Sequence, residues 1–230
     1  MIELNHIRKN TKDNEICQEV ITNDCYGLSK WKPKRYPKFI VDIGCQIGAF
    51  SLLANYLYSK CSILAFEMME DNSHIASLNL KNQENTKCFH GAVVGKNKPI
   101  GFMENKNNTG GHKTIYEGED SYLGASRHVS TGLDYELKNN FNSFDFLKIF
   151  SDNNIDRIDF LKMDCEGSEY EIIPHLIETD LIKRVDNISI ELHGRDQKEY
   201  KTVLDFLSKS FESSAISQVG HLAHFRNLCI

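Results

Sequence analysis

Phe39-Ile40-Val41-Asp42-Ile43-Gly44-Cys45-Gln46-Ile47-Gly48-Ala49-Phe50 decides the fold. An apolar run carries an Asp near its end, two glycines follow, and a helical pattern opens at Phe50. This reads as a strand feeding a tight glycine turn at the carboxyl edge of a sheet, where bare backbone approaches a nucleotide-like ligand. The third glycine and the spacing of G-x-G-x-x-G are missing, so a pyrophosphate is not the natural occupant of this turn.

Strands and helices alternate outward from that stretch. Phe39 to Ile43 is the first strand, and residues 50 to 59 are the helix after it. Ser62 to Glu67 is the second strand, followed by a helix over residues 73 to 80. Thr86 to His90 is the third, with Gly91-Ala92-Val93-Val94 expected to continue it. Residues 143 to 150 read as helix and 158 to 163 as a buried strand ending at Asp164. Residues 167 to 177 read as a helix interrupted or restarted at Pro174, and residues 188 to 192 as a fifth strand. Tyr200, Val203, Leu204, Leu207 and Phe211 form a helical stripe, and residues 215–219 and 222–229 close the sheet as a hairpin. The expected fold class is therefore α/β, a mostly parallel sheet with helices on both faces and a terminal antiparallel hairpin. Residues 1–37 read as an N-terminal helical extension and residues 38–230 as one domain, with an irregular or hairpin insertion at about 95–135.

The chain of 230 residues is long enough for a sizeable core. It carries 27 basic and 32 acidic residues, a net charge of −5 without long runs of either sign, so nucleic acid is not the expected partner. Seven cysteines without a C-x-x-C pair read as reduced thiols of a cytoplasmic protein. The polar start gives no leader, and no apolar run approaches the roughly 20 residues that span a bilayer. His221-x-x-His224 has no further partner at ligand spacing and reads as incidental, and the sequence leaves the oligomeric state unknown.

Right-handed crossovers place the strands' carboxyl ends along one edge. Gly44, Glu67, Asp164 and His193, distant in sequence, are thereby expected to meet in one cleft. Glu67 ends its strand as a carboxylate suited to accept from two ribose hydroxyls. Asp42 either faces a cofactor ammonium or braces the glycine turn. In Lys162-Met163-Asp164-Cys165-Glu166-Gly167-Ser168-Glu169 three acids crowd one glycine; mutual repulsion raises a pKa and makes a candidate general base. Asp164 or Glu166 could instead cap the next helix, and Lys162, inside an apolar run, is expected to pair with an acid. Glu191 and His193 share one face by the two-residue period, and His193 has the side chain best suited to move protons near neutrality. Asp164, Glu191 and His193 could also gather a divalent metal, but nothing in the spacing fixes one and none is assigned.

Together these segments resemble the FkbM-type methyltransferases, a class I family that uses S-adenosylmethionine (SAM). The resemblance covers about residues 14–195. It rests on Val41-Asp42-Ile43-Gly44, Ala65-Phe66-Glu67, Gly91-Ala92-Val93, Phe144-Asp145-Phe146-Leu147, Leu161 to Glu169 and Ile190-Glu191-Leu192-His193. It implies a Rossmann-like class I methyltransferase fold and methyl transfer to oxygen, on a hydroxyl of a sugar or other natural product. It implies a cofactor site at Asp42, Gly44, Gly48, Glu67, Gly91, Ala92 and Asp164, with Asp164, Glu166 and His193 as catalytic candidates. Gly44-Cys45-Gln46 replaces the family's usual Gly-Ala-Asn, and Met68 its usual Pro. Gly110-Gly111 and Ser121-Tyr122-Leu123 lie near where relatives place a serine-bearing loop.

Two other readings compete. A nicotinamide-dependent oxidoreductase on the same sheet would need the missing glycine and a Tyr-x-x-x-Lys pair at the cleft. Tyr26…Lys30 and Tyr56…Lys60 have that spacing but fall elsewhere. An inactive SAM-fold scaffold is the third, opposed by the intact acids and histidine.

Overall fold

The computed structural model describes residues 2, 4–96, 101–105, 111–116, 135–138, 142–193, 197–216 and 222–226. Five strands run parallel in the central sheet: β1 (Phe39–Ile43), β2 (Ser62–Glu67), β3 (Thr86–His90), β9 (Phe160–Met163) and β10 (Asn187–Glu191). The antiparallel pair β11 (Glu212–Ile216) and β12 (Leu222–Arg226) completes it on the β10 side, in the order β11-β12-β10-β9-β1-β2-β3. This is the expected α/β architecture, terminal hairpin included. Strand order reverses between β1 and β9, and β1 carries the glycine turn at its end. In open α/β sheets such a switch point is where ligands bind.

Alternation along each strand divides the core. Val41, Ile43, Leu64, Phe66, Leu161, Met163, Ile188 and Ile190 point to one face. There they meet Phe146 and Phe150 of α4 (Phe146–Asp152), Ile172, Ile173 and Leu176 of α5 (Glu169–Glu178), and Val203 and Leu207 of α6 (Gln197–Ser210). Ile40, Ile63, Ala65 and Phe160 point the other way. They meet Phe50, Leu53 and Ala54 of α2 (Ala49–Leu57) and Ala76 and Leu80 of α3 (Glu70–Leu80). Over β9 and β10 that second face is covered by the N-terminal segment: α1 (Asp13–Cys17), a π-turn over Gln18–Thr22, and a turn closed by Gly27 N donating to Asp24 O at 2.9 Å. Tyr26 and Leu28 are buried there beside Phe50 and Phe160.

Several boundaries differ from the sequence expectation. The third strand does not continue through Val94. Gly91, at φ +155°, breaks it, and β4 (Ala92–Val94) pairs with β8 (Ser143–Asp145) in a separate two-stranded sheet. Ser143–Asp145 is thus a strand where helix was expected; the Asp145 carboxylate accepts from Leu147 N at 2.7 Å and starts α4 only there. Pro174 sits inside an unbroken α5, which merely forgoes one N–H donor. Of the insertion, β5 (Gly101–Asn105) pairs antiparallel with β6 (Lys113–Ile115) and β7 (Tyr135–Lys138). Gly110, Ser121-Tyr122-Leu123 and His221 lie outside the described residues.

One buried charge joins the layers. The Lys162 ammonium donates to Gly44 O at 2.5 Å and Ile43 O at 3.3 Å, stands 3.3 Å from Asp42 Oδ1, and lies 5.1 Å over the Tyr26 ring. Asp42 is fully buried, with Oδ2 accepting from Ser51 Oγ at 2.7 Å. Lys162 therefore forms the expected ion pair. Lys162→Met leaves Asp42 as an uncompensated interior charge and is expected to cost about 3–5 kcal/mol, a melting point lower by roughly 10 °C. Asp42→Leu/Lys162→Met is expected to recover most of that loss in thermal unfolding; equal losses in both would refute the pairing.

Candidate functional site

At the carboxyl edge of the sheet a cavity of about 1290 Å³ opens over the β1/β9 switch point. Its first half is walled by Gly44, Gln46, Glu67, Asn72, Gly91 and Ala92. Gly44 adopts φ +74°, and a Cβ there would stand 1.7 Å from Asp164 O, so only glycine lets the turn lie against the end of β9. Gly44 N and Cys45 N both donate to Phe66 O at 2.9 Å, which docks the turn on β2. Glu67 closes that strand. Its Oε2 accepts from Gln46 N and its Oε1 from Met69 N, each at 2.9 Å. Burial lifts the Glu67 pKa to about 7, against the pull of those two amides.

Asp42 and Gly48 do not stand on the cavity wall among the described residues. Asp42 braces the turn from behind through Ser51 and Lys162. Gly48 starts α2 against the Leu80 side chain. Gln46 reaches outward, donating from Nε2 to Asp13 Oδ1 at 2.8 Å. Asp13 also holds Arg8 through Nε at 2.9 Å, so the N-terminal segment is tied directly to the turn.

Asp164, Glu166, Glu191 and His193 line the same cavity, which brings Asp164 and His193 together with Gly44 and Glu67 as their strand-end positions led one to expect. His193 Nε2 stands 3.7 Å from Asp164 Oδ1, 3.7 Å from Glu166 Oε1 and 3.6 Å from Glu191 Oε1. Its Nδ1 lies 3.3 Å from Oε1 of the fully buried Glu169. Burial alone would depress the imidazole pKa, but the bond to Glu169 and the charges of Glu169, Glu166 and Asp164 carry it to about 10. Burial, reinforced by Asp164, Glu169 and Glu191 against the pull of His193, lifts Glu166 to about 8. Glu191 is raised by burial and by Asp164. Glu166 sits at φ +53°, followed by Gly167 at φ +109°. A left-handed glutamate costs on the order of 1–3 kcal/mol, a strain that local structure must hold in place.

Neither Asp164 nor Glu166 caps α5. Its N-cap position is Ser168, without a side-chain cap bond, and Glu169, the first helical residue, instead holds the preceding loop, its oxygens accepting from Cys165 N and Gly167 N, both at 2.8 Å. The signal was in the sequence, an acid in the first helical turn, but nothing local showed that the same carboxylate would reach His193. Tyr26 was likewise invisible as a site residue; its hydroxyl donates to Asp164 Oδ2 at 2.6 Å across 138 positions of chain.

The second half of the cavity runs between the N-terminal segment and the sheet. Alternation puts Asn187, Ser189 and Glu191 of β10 beside Arg226, His224 and Leu222 of β12 on this face. Ser189 Oγ pairs with His224 Nδ1 at 2.8 Å. Tyr26, Lys30 and Trp31 stand opposite. From the insertion, His112 and Thr114 reach the wall, with Thr114 Oγ1 2.5 Å from Ser168 Oγ at the start of α5. The six cysteines among the described residues are free thiols, and no helix among them is long and apolar enough to cross a membrane.

A family model described as the methyltransferase FkbM domain matches residues 42–214. Methyltransferase sdnD of Sordaria araneosa is 27% identical over 221 residues, spanning 87% of this chain and 76% of that protein. Among solved structures, methyltransferase FkbM from Methylobacillus flagellatus is similar at 11% identity and a TM-score of 0.48, covering 86% of this chain and 45% of that one. The N-terminal domain of human METTL16, solved with S-adenosylhomocysteine (SAH), is similar at 12% identity and a TM-score of 0.45, covering 93% of this chain and 68% of that one. The glycine turn, the strand-end glutamate and the acid-rich loop all lie within the matched residues, and the chain belongs to the FkbM methyltransferase domain family, as a SAM-dependent methyltransferase.

Proposed function

We propose that this chain methylates a hydroxyl oxygen of a small hydroxyl-rich acceptor, a sugar or other natural product. The observation that carries the reading is His193 among carboxylates in the middle of the cavity, between a half suited to a nucleoside and a polar half suited to an acceptor. Single drug-sized ligands fill about 300–1,000 Å³; the 1290 Å³ here supports two occupants side by side.

The residues present fit SAM. The Glu67 carboxylate has about four acceptor positions and gives two to the backbone amides of Gln46 and Met69 and one to the Asn72 side chain, leaving one for a ribose hydroxyl. The Gly44 backbone, Gly91 and Ala92 would flank the nucleoside, and Asp164 lends negative charge beside cationic groups. When bound, SAM supplies a methyl already activated on a positively charged sulfur. The chain's residues do the rest: they orient the acceptor oxygen, exclude water and remove a proton. Glu166 or His193 Nε2, once deprotonated above its raised pKa, receives the hydroxyl proton, and Glu169 keeps the ring turned toward the cavity. Residues 1–37, read as an extension on the domain of residues 38–230, would form the acceptor wall through Tyr26, Lys30 and Trp31.

Two outcomes test this. The Glu67 pKa near 7 means that below neutrality the acid must shed a proton before it can accept from a ribose hydroxyl with its full charge. SAH affinity measured by calorimetry is thus expected to fall about tenfold per pH unit below that point and to level off above it. Glu67→Gln should bind weakly at every pH, with the slope abolished; a wild-type affinity flat from pH 5 to 8 would remove Glu67 from the cofactor site. In transfer assays with labelled SAM and a panel of hydroxylated acceptors, Glu166→Gln and His193→Ala are expected to lower kcat by about 10²–10⁴-fold. Their SAH affinity should hold. Label entering RNA, or amines rather than hydroxyls, would overturn the acceptor assignment.

A further inference from the structure

We propose that Asp164, Glu191 and His193 form a binding site for a divalent cation of the oxygen-preferring kind, Mg²⁺ or Mn²⁺, to which the acceptor hydroxyl is brought. The link to the acceptor rests on the functional reading above; the cation site rests on geometry alone. Each of the three residues offers one ligand atom, and those atoms lie within 4.8 Å of one another. They project from the ends of β9 and β10, adjacent parallel strands held in register by Met163 opposite Ile190. Their spacing is therefore set by the sheet.

The imidazole decides between a simple ion pair and a cation site. A protonated ring settles on one carboxylate at about 2.7–2.9 Å. Here Nε2 stands 3.6 Å from Glu191 Oε1 and 3.7 Å from both Asp164 Oδ1 and Glu166 Oε1, near-equal distances too long for hydrogen bonds. Around an octahedral ion with ligands at about 2.1 Å, adjacent ligand atoms lie about 3 Å apart and opposite ones about 4.2 Å. The Nε2 separations of 3.6 and 3.7 Å lie between those two spacings, so the side chains need only a small adjustment to converge on one ion.

Contacts from outside the trio point the same way. Nδ1 of His193 faces the fully buried Glu169 at 3.3 Å, and Glu169 is itself fixed by two backbone amides. That contact holds Nδ1 against Glu169 and points Nε2 at the carboxylates; a cation bound there would displace the proton that these acids hold on Nε2, in the outer arrangement that orients metal-bound histidines. Tyr26 engages Asp164 Oδ2, which leaves Oδ1 toward the cluster. One nitrogen against two carboxylate oxygens suits an ion that prefers oxygen, and the partly exposed site leaves positions for water or acceptor hydroxyls. With Nε2 on the ion, the proton of a bound hydroxyl would pass to Glu166, whose Oε1 borders the same space.

The test is titration of the full chain with Mn²⁺ by electron paramagnetic resonance, with SAH binding measured on the same samples. One Mn²⁺ per chain is expected, with a dissociation constant below about 1 mM and displacement by Mg²⁺. Glu191→Gln and His193→Gln, made separately, are expected to weaken Mn²⁺ at least about tenfold while SAH affinity stays within about twofold, which also reports that each variant is folded. Should one variant fail to fold, the other and the Mg²⁺ competition decide. Absence of Mn²⁺ binding at that concentration, or equal binding by wild type and folded variants, overturns the site. Normal SAH binding with that result leaves the methyltransferase reading standing. Mn²⁺ binding without SAH binding would sink that reading and keep the cation site.

Discussion

A lysine ammonium buried between the ends of β1 and β9 is the constraint on which the rest of the site hangs. Removing such a charge from water costs several kcal/mol, so Lys162 must be met by fixed partners. It is met by Asp42, by the carbonyls of Ile43 and Gly44, and by Asp164 at 3.9 Å. Each contact fixes something else. Asp42 anchors Ser51 and hence α2; the Gly44 carbonyl sets the glycine turn; Asp164 is held at the cavity floor. The Tyr26 ring over the same ammonium draws the N-terminal segment onto the sheet.

Around that joint the chain concentrates acids where positive charge is wanted. Asp164, Glu166, Glu169 and Glu191 crowd a single imidazole, and Glu67 stands in the neighbouring half of the cavity with its pKa pushed up by burial. Burial and the crowded acids disfavour a charged Glu166 while the same acids stabilise a charged imidazolium, which is why Glu166 and His193 hold protons so far above their ordinary ranges. A cationic ligand relieves that repulsion. The left-handed Glu166 fits the same picture, a strained residue held in place at the point where chemistry is proposed.

Much of this was legible along the chain, for a reason that differs from segment to segment. Strands β1 and β2 showed themselves because a short, continuous apolar run bounded by turn residues suits a strand buried on both faces. Glu67, Asp164 and His193 were found because parallel strands share a carboxyl edge, so a polar residue at a strand end has a known destination. The continuation of the third strand through Ala92, Val93 and Val94 failed because a single backbone decides there: Gly91 at φ +155° ends β3, and β4 leaves the main sheet. Ser143–Asp145 was misread as helix because its short apolar pattern is shared by strand and helix, and its strand partner, β4, is distant in sequence.

By itself the sequence determined the alternating architecture, the family, and which carboxylates end which strands, because these depend on local pattern and on the handedness of crossovers. Only the tertiary structure decided what those groups do to one another. Glu169 holding both the loop before α5 and His193, Tyr26 holding Asp164, and Asp42 turning away from the cavity to brace Lys162 are contacts between residues remote in sequence or hidden by burial. Distance, desolvation and competition among several acids for one proton are properties of an arrangement in space, which a linear pattern of residues does not contain.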